Sequence, residues 1–413
     1  MKKMFIKLLL IYLSIQIVTG QENINIDPER TPYGSLSLLD IVESIEYIPL
    51  ETNSSCLIGE IFQKDKIIIS ANYILVNNSV GDNIEEFFLF DREGKYISKI
   101  GNRGDGPGEY TLGAKPYAID EINQRVIITN NRGYMFYIMY YDMNGKHVHS
   151  ISVDRMFVNG NHVQFDGNHV IMRGNNPFRA GDPTFNYSIF SNDYQLITEK
   201  IKNVDFTTNQ QGFRWHINSW GAFCHYFFNG QLHVKYSPLN DTLYSVNQSL
   251  TFNPKYIINA GRYSLTKDIV SNVDLSVREF NNRIYFQSVF ETNNYVLISY
   301  QYKEKHYYQY YGKHRRQSLL ANVVSPQRLH IFENGIPNDY DGGLAFWPKQ
   351  QNGNEFITWY NAYLFVENEN SLRPKGSQKA IENLKNVTNK IEDFMMKNRT
   401  EANPVVVIVK FKQ

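Results

Sequence analysis

A short phrase recurs along this chain and constrains its fold more than any other feature. An apolar strand end, an Asp-x-x-Gly-Lys turn and a second alternating strand occupy residues 89–100 and again residues 140–151. Asp91 and Asp142 begin the two turns 51 positions apart, and a fainter copy places Asn192 50 positions further on. A β-hairpin that recurs every 40–50 residues or so is typical of a β-propeller, with one repeat in each blade.

The repeats and the strand patterns between them predict an all-β fold, a six-bladed β-propeller. Aromatic residues make up 14% of the 413 residues, and such side chains suit pleated, half-buried strands. The alternating patterns predict a strand at residues 363–367, within the sixth blade. They place the six blades at about 57–100, 115–153, 157–202, 213–259, 274–312 and from 323 onward.

The two ends of the mature chain both predict strands. Residues 45–50 alternate like a strand, and residues 405–412 are almost entirely β-branched or aromatic apart from two lysines. A closed ring leaves no exposed edge at its seam when the first and last strands share one blade, and we expect this arrangement here. Residues 21–44 then form an N-terminal arm, and residues 45–413 form the propeller.

One segment near the C-terminus changes period. Apolar side chains recur at helical spacing over residues 377–397, with polar residues on the other face. This pattern predicts a helical insertion before the closing strand, with its apolar stripe packed on the propeller. Docking of a partner protein on that stripe is the alternative interpretation.

The first twenty residues have the features of a secretory signal peptide. Lysines at positions 2, 3 and 7 precede an apolar stretch of 11 residues at 8–18, which is short for a membrane span. Small residues then precede Gln21 at a predicted cleavage site. We therefore expect an exported protein, periplasmic or secreted, with no transmembrane segment in the mature chain; a single membrane anchor is the alternative.

The charge balance and the cysteines exclude some classes of function. The 42 basic and 41 acidic residues give a net charge of +1, which provides no long-range attraction for nucleic acid. Cys56 precedes the first predicted blade and Cys224 falls in the fourth, which lies across the predicted ring, so we expect two free thiols and not a disulfide. No cofactor motif is present, we expect no cofactor, and the mature protein is predicted to be a monomer.

The first candidate site is the glycine-rich stretch at residues 101–110. Its glycines permit positive φ angles, and a proline stiffens the turn. Arg103, Asp105 and Glu109 are then held on a short ordered loop, which indicates a site for a polar ligand at the mouth of the ring. The alternative is a plain connection between blades whose charged groups cap backbone ends.

The second candidate site is the acidic turn within residues 338–348. The carboxylates of Asp339 and Asp341 beside two glycines suit a hard cation such as calcium, although the regular ligand spacing of an EF-hand is missing. With Trp347 the same carboxylates also match a carbohydrate platform, where the ring stacks on a sugar. The alternative is a loop that packs Trp347 over the blade.

The third candidate site combines Arg214, Trp215 and His216 with His225. Aromatic residues next to arginine and histidine suit recognition of a glycan or a peptide. Either histidine has the chemistry of a general base, because imidazole titrates near neutral pH. The alternative is that these histidines are hydrogen-bonded structural groups.

Four segments taken together carry a family resemblance. They are Tyr-Ile-Pro-Leu-Glu-Thr at 47–52, Lys-Ile-Gly-Asn-Arg-Gly-Asp-Gly-Pro-Gly-Glu-Tyr at 99–110, Asn-Asp-Tyr-Asp-Gly-Gly-Leu-Ala-Phe-Trp-Pro at 338–348, and Asn-Pro-Val-Val-Val-Ile-Val-Lys at 403–410. In this order they resemble the six-bladed β-propeller family of exported bacterial proteins, which is related in architecture to NHL-repeat propellers. The resemblance implies a six-bladed ring at the cell envelope or outside the cell, and it supplies no catalytic residues.

Three classes of function follow from these observations. The export signal, the propeller and the aromatic-rich loops favour a non-catalytic binding module for a glycan, a peptide or an envelope protein. A hydrolase or lyase with its site at the mouth of the channel is the alternative, because propellers draw catalytic groups from several blades and fold alone does not choose. A structural subunit that assembles through the face of the ring is the third.

Overall fold

A computed structural model of the protein describes residues 21–59, 67–80, 84–153, 162–165, 169–172, 185–191, 193–202, 223–236, 241–266, 269, 278–325, 335–367 and 374–412. The predicted signal peptide and the candidate residues Arg214, Trp215 and His216 lie outside these ranges. In the described ranges the protein is predominantly β, as the repeats predict, with strands in five sheets.

Four of the sheets have four strands each, and within each sheet neighbouring strands follow one another in sequence and run antiparallel. The first sheet contains β3 (Ile67–Ile69), β4 (Tyr73–Val80), β5 (Ile84–Asp91) and β6 (Tyr96–Ile100). The second contains β7 (Lys115–Asp120), β8 (Arg125–Arg132), β9 (Met135–Asp142) and β10 (His147–Val153). The third contains β11 (His162–Phe165), β12 (His169–Met172), β13 (Phe185–Ser191) and β14 (Leu196–Lys202). The fourth contains β19 (Tyr285–Glu291), β20 (Tyr295–Tyr302), β21 (Lys305–Gly312) and β22 (Gln317–Val324).

The remaining sheet has nine strands and consists of two four-stranded halves and one extra strand. One half contains β15 (Phe223–Phe228), β16 (Gln231–Tyr236), β17 (Thr242–Val246) and β18 (Phe252–Asn259). The other contains β23 (Gln350–Asn352), β24 (Glu355–Tyr360), β25 (Val405–Phe411) and β2 (Val42–Pro49). A single parallel pair, Phe227 with Asn352, joins the halves. The extra strand is β1 (Glu22–Asn25), which pairs in parallel with β18 and gives the predicted N-terminal arm a strand.

The predicted C-terminal helix is confirmed. The helices are α1 (Leu38–Ile41), α2 (Tyr363–Val366) and α3 (Gln378–Asn398), with 3-10 turns at Gly261–Tyr263 and Phe280–Asn282. The Ser377 side chain caps α3 by accepting a hydrogen bond from the backbone N–H of Ala380 at 3.2 Å. Leu384, Val387 and Ile391 on α3 are buried in the core cluster that also includes α2 and β2. Within the described residues, every helix is too short or too polar to cross a membrane.

The predicted pairing of the two chain ends is also confirmed. Strand β25 lies between β24 and β2 and runs antiparallel to both, so that Val407 pairs with Tyr47 on one side and Thr358 on the other. Six of its seven residues are buried, because an interior strand has apolar neighbours on both faces. The N-terminal strand therefore completes a sheet whose other three strands come from the C-terminal part of the chain.

A buried asparagine reinforces this junction. The side-chain N–H groups of Asn403 donate to the carbonyl oxygens of Glu51 and Cys56, both at 2.6 Å. Its side-chain oxygen accepts from the backbone N–H of Ile58 at 2.8 Å. One side chain just before β25 thereby satisfies three backbone groups of the segment that leaves β2.

Two strand predictions near the sixth repeat were wrong. The segment predicted as a strand at 363–367 forms α2 over residues 363–366, with Glu367 as its C-cap, because β24 already has β23 on one edge and β25 on the other. Residues 317–324, where the sixth blade was predicted to begin at 323, form β22 and complete the fourth sheet. Strand β21, whose central residues are all buried, needs this second neighbour.

The recurring sequence phrase forms the same turn at both places. The side-chain oxygen Oδ1 of Asp91 accepts from the backbone N–H of Lys95 at 2.8 Å, and Oδ1 of Asp142 accepts from Lys146 at 2.9 Å. Each turn connects the third and fourth strands of its sheet. An aspartate at this position replaces a backbone acceptor and fixes the turn.

The glycine of each turn contacts the backbone of the group of strands that precedes it. Gly94 and Gly145 have φ angles of 84° and 81°. Their carbonyl oxygens accept from the backbone N–H groups of Glu51 at 2.8 Å and Gly101 at 2.9 Å, which follow the outermost strands of the preceding groups. A Cβ atom at either position would collide with a backbone carbonyl of that preceding strand. Glycine is thus required for both the backbone conformation and the close approach.

The middle of the chain makes this turn with other residues. In the third sheet Ser191 takes the aspartate position, one residue before the predicted Asn192, and Tyr194 takes the glycine position with a φ of 61°. Between β17 and β18, Asn247 accepts from Thr251 N–H at 3.1 Å, and Leu250 adopts a φ of 56°. The turn is therefore kept where its sequence signature is lost.

The two cysteines are free thiols, as predicted. Cys56 lies in the core cluster beside β3 and β25, and Cys224 lies in the cluster around β15 and β19. Both are buried in different parts of the protein.

We expect Asn403→Ala to lower the free energy of unfolding by about 3 kcal/mol, because it leaves buried backbone groups of Glu51, Cys56 and Ile58 without partners. Urea denaturation monitored by tryptophan fluorescence measures this loss. The matched control is Asn398→Ala at the exposed end of α3, for which we expect a change below about 0.5 kcal/mol. Equal effects of the two substitutions would contradict a special role for Asn403.

Candidate functional site

The glycine-rich segment after β6 is a fixed loop, here called the glycine loop (residues 101–113). Backbone hydrogen bonds close it, from Gly104 N–H to the oxygen of Tyr110 and from Tyr110 N–H to the oxygen of Asn102, both at 3.0 Å. The buried Tyr110 ring packs edge-on against Phe87 in the core between the first two sheets. The loop is therefore anchored from below, and its candidate residues Arg103 and Asp105 are exposed above it.

The hairpin between β8 and β9 holds the glycine loop from the side. The Arg132 guanidinium donates to the carbonyl oxygens of Gly106 at 2.8 Å and Glu109 at 2.6 Å. The Thr111 hydroxyl donates to the Asn130 side chain at 2.8 Å. Glu109 itself accepts from the Gly106 N–H at 2.7 Å, so its carboxylate stabilises the loop from within.

Apolar side chains are exposed on this same loop and hairpin. Tyr134, at the hairpin tip, is 99% exposed, and Leu112 and Met135 are about half exposed. Together with Arg103 and Asp105 they form what we call the loop–hairpin surface. Apolar groups beside charges of both signs, on a backbone held by hydrogen bonds, form a surface suited to binding.

The acidic turn of the second candidate site contacts the N-terminal segment. The Ser37 hydroxyl and the backbone N–H of Leu39 donate to the carboxylate of Asp339, at 2.6–2.7 Å and 3.1 Å. Lys375 lies 3.8 Å from the same carboxylate. Asp339 thereby ties the start of α1 to this turn.

The neighbouring Asp341 is enclosed by donors. Its carboxylate accepts from the Tyr47 hydroxyl at 2.8 Å, from the Asn338 side chain at 2.8 Å and from the Gly343 N–H at 3.0 Å. Burial raises the pKa of Asp341, and these hydrogen bonds oppose that shift. The carboxylate oxygens that were predicted as calcium ligands thus accept hydrogen bonds from groups of the protein.

The aromatic member of this candidate site is also buried. The Trp347 indole N–H donates to the Ser288 hydroxyl at 3.1 Å, and its ring lies against Tyr308 with centroids 4.9 Å apart. The ring therefore packs in the core between β19, β21 and the acidic turn. His225, from the third candidate site, is half-buried on β15, next to Cys224 in sequence.

A cluster that sequence reasoning missed lies between β15–β18 and the fourth sheet, around Glu291. This carboxylate is only 1% exposed. Each of its oxygens accepts one hydrogen bond from a lysine ammonium and one from a tyrosine hydroxyl. Oε1 accepts from Lys313 at 2.6 Å and Tyr256 at 3.0 Å. Oε2 accepts from Lys255 at 2.7 Å and Tyr226 at 3.1 Å. We call these five residues the Glu291 cage.

The two lysines of the cage favour the ionised form of Glu291. Burial alone raises the pKa of Glu291, but Lys255 and Lys313 outweigh it and hold the pKa below its usual value. Burial lowers the pKa of Lys255, which Glu291 opposes. The cage therefore holds an ionised carboxylate between two ammonium groups.

A neutral histidine adjoins the cage. The His233 ring stacks on Tyr226 with centroids 4.8 Å apart, and its Nε2 faces the carbonyl oxygen of Phe228 at 3.4 Å. Burial, and next the charge of Lys255, lower the pKa of His233 to about 4. No partner for its Nδ1 occurs among the described residues.

A second carboxylate with similar donors lies nearer the surface. Glu29 accepts from the hydroxyls of Tyr302 at 2.8 Å and Tyr263 at 2.9 Å, and from Lys303 and Arg262 at 3.0 Å. These hydrogen bonds, that of Lys303 foremost, lower the pKa of Glu29 to about 2. The two clusters connect different elements. Glu29 holds the N-terminal segment against the 3-10 turn Gly261–Tyr263 and the end of β20, whereas Glu291 connects β15–β18 with the fourth sheet.

Across the described ranges, no three histidine, cysteine, aspartate or glutamate side chains come together as a group able to hold a metal ion. Of the candidate residues that the structure describes, Arg103 and Asp105 lie on the glycine loop, Asp339 and Asp341 on the acidic turn, and His225 on β15.

Stability should depend on pH through His233. The unfolded chain protonates this imidazole near pH 6.5, whereas the folded protein resists protonation until about pH 4. The free energy of unfolding should therefore fall as the pH drops from 6.5 to 4, by at most about 3 kcal/mol. Urea denaturation at a series of pH values measures the slope.

The control compares two substitutions by phenylalanine. His233→Phe keeps a ring on Tyr226 and should flatten the slope between pH 4 and 6.5, whereas His314→Phe at an exposed position should leave it unchanged. A slope that survives in His233→Phe would show that another group causes it.

The fold described above has a counterpart among solved structures. The chain aligns with a crystal structure of a predicted exported protein from Bacteroides fragilis NCTC 9343 at a TM-score of 0.61 and 13% identity, over 95% of this chain and 99% of that chain. This level of likeness establishes a shared fold. The Dos1 propeller aligns at a TM-score of 0.31 and 9% identity, over 62% of this chain and 56% of that chain. None of the curated proteins matches the chain.

A family model matches residues 21–410 of the 413-residue chain. Its range begins at the predicted cleavage site and ends within β25, so it includes the paired strands β2 and β25. The chain therefore belongs to the family described as Domain of unknown function (DUF4934).

Proposed function

We propose that this protein is an exported six-bladed β-propeller that binds a polypeptide partner through the loop–hairpin surface. The proposal has three parts: the ring, the location and the binding surface. The observation that carries it is the group of exposed apolar side chains, with Tyr134 at its centre, on a backbone that hydrogen bonds hold in place.

Packing between successive sheets supports a ring of six blades. If the two halves of the nine-stranded sheet count separately, the described strands form six four-stranded blades, numbered in the order of their innermost strands β3, β7, β11, β15, β19 and β23. Core clusters join the first blade to the second, the second to the third and the third to the fourth. The largest cluster joins the fourth, fifth and sixth, and another joins the sixth to the first. Contacts that return to the first blade are what a closed ring requires.

Two observations support export. Residues 1–20 have the composition of a signal peptide, and β1 begins one residue after the predicted cleavage site. The Bacteroides fragilis protein with the same fold is described as exported. We therefore place the mature protein in the periplasm or outside the cell.

The chemistry of the loop–hairpin surface favours a polypeptide over a glycan. Tyr134, Leu112 and Met135 offer an aromatic ring and two flexible aliphatic side chains, which bury well against apolar side chains of a partner. Arg103 and Asp105 place charges of both signs at its border, where they select orientation. Since the loop backbone is already fixed, binding costs little conformational entropy.

Export predicts a defined N-terminus. When the full chain is expressed in a Gram-negative host, mass spectrometry of the periplasmic or extracellular fraction should find a protein that begins at Gln21. Leu10→Arg, which interrupts the apolar stretch of the signal peptide, should leave an uncleaved chain in the cytoplasm. An uncleaved wild-type chain in the cytoplasm would contradict export.

Binding can be tested with two substitutions at opposite ends of β8. The mature protein is screened against a displayed random-peptide library and a glycan array. Tyr134→Ala should weaken binding of the selected peptides by about tenfold or more, as expected for the loss of an aromatic anchor. Ile122→Ala removes a similarly exposed apolar side chain, 88% exposed, from the turn between β7 and β8 and should leave binding unchanged.

Three outcomes would overturn the binding proposal. Selection of glycans without peptides would exclude a polypeptide partner. Equal losses in Tyr134→Ala and Ile122→Ala would show nonspecific adhesion to apolar side chains. Failure of both libraries to yield a ligand would remove the support for a binding module.

A further inference from the structure

We propose that the Glu291 cage is also a binding site for a small carboxylate ligand, which lies against the ammonium groups of Lys255 and Lys313 on the solvent side of the cage. This site is separate from the loop–hairpin surface, because it lies between the fourth and fifth blades and the surface belongs to the second. The ligand class follows from the charge and the hydrogen-bonding capacity of the cage.

The charges of the cage do not cancel. Two ammonium groups face one carboxylate, and the neighbouring His233 is neutral at pH 7. A second carboxylate, Glu22, interacts electrostatically with Tyr256 of the cage. It is already paired with Arg316 at 3.6 Å and accepts a hydrogen bond from the Tyr311 hydroxyl. One positive charge is therefore left over among the described residues, in a setting where an uncompensated charge is costly.

The two ammonium groups also have N–H donors that no described residue accepts. An ammonium carries three N–H donors. Among the described residues, Lys313 uses two, on Glu291 and on the carbonyl oxygen of Thr292 at 2.6 Å, and Lys255 uses one on Glu291. The lysine side chains are 20% and 27% exposed, so water or a ligand reaches them while Glu291 stays enclosed.

Glu291 and Phe228 hold the two ammonium groups close together. Each ammonium binds a different oxygen of the same carboxylate, and they lie 5.2 Å and 5.4 Å from the centroid of the Phe228 ring. Two neighbouring cations suit the two oxygens of a carboxylate. A monoanion also matches the single surplus charge, which a dianion would exceed.

A carboxylate of this kind comes from an acidic sugar or from a peptide-like acid, and matched probes separate the two. Isothermal titration at low ionic strength uses sodium D-glucuronate with D-glucose as its neutral counterpart, and N-acetylglycine with N-acetylglycinamide. We expect at least one charged probe to bind tenfold or more tightly than its neutral counterpart, and 0.5 M NaCl to weaken that binding. Preference for glucuronate identifies a sugar acid, and preference for N-acetylglycine identifies a peptide-like acid; both support the site.

Substitutions locate the binding. Lys255→Met and Lys313→Met each leave Glu291 one ammonium and should reduce binding of the charged probe by tenfold or more. Lys303→Met is the matched control, because it removes an ammonium from the similar but separate Glu29 cluster, and it should bind as the wild type does. Thermal unfolding of each variant establishes that it is folded, and the charged-versus-neutral comparison on wild-type protein tests the site even if one variant does not fold.

The proposal is overturned if neither charged probe binds more tightly than its neutral counterpart, or if binding persists in both folded lysine variants. Inorganic sulfate serves as a dianion control, and tighter binding of sulfate than of both carboxylates would also overturn it. Tyr134→Ala should retain carboxylate binding, so failure of the loop–hairpin proposal and failure of this one give different results.

Discussion

The antiparallel pairing of β2 with β25 is the interaction on which the rest of the structure depends. It joins strands at opposite ends of the chain, and it gives the interior strand β25 a neighbour on each side. The Asn403 side chain fixes the same junction by satisfying backbone groups of the segment that leads from β2 toward β3. Without this pairing, the core cluster beside β3 would lose the packing contributed by β2 and β25. The acidic turn would lose its hydrogen bond from Tyr47 on β2.

The turn between the third and fourth strands recurs in successive groups of strands, but its sequence signature is present in only some of them. Where the turn contains Asp and Gly, the spacing of Asp91 and Asp142 predicts the hairpins correctly. Where Tyr194 and Leu250 adopt positive φ angles, the turn survives because backbone hydrogen bonds and neighbouring strands hold it, at a modest conformational cost. The sequence signature is a local preference, and tertiary contacts make it dispensable.

Strand identity near the C-terminus was less predictable for a related reason. The segment at 363–367 has strand-like composition, but β23 and β25 occupy both edges of the preceding strand β24, and residues 363–366 form the short helix α2 instead. Propensity describes a segment by itself, whereas edge occupancy depends on a partner more than forty residues away. The closing strand and the α3 helix were predictable because their periodicity is strong and unambiguous.

The candidate sites show the same division between local and distant information. The glycine loop could be predicted because its unusual residues are contiguous, and the structure places Arg103 and Asp105 at its surface. The carboxylates of Asp339 and Asp341 also stood out, but their partners Ser37 and Tyr47 lie about 300 residues earlier in the chain. The Glu291 cage could not be predicted, because its five residues come from four separate segments of the chain with ordinary local sequences.

The position of β25 within its sheet has a consequence for how the protein acquires its fold. A ribosome produces β2 more than 350 residues before β25, so during synthesis the N-terminal strand has an unpaired backbone edge. The nascent polypeptide can assemble most of its sheets in order, but β2 cannot pair with β25 until translation is nearly finished. A chain interrupted before its last dozen residues would therefore leave one edge of β2 and one edge of β24 unpaired, and exposed strand edges of this kind promote aggregation.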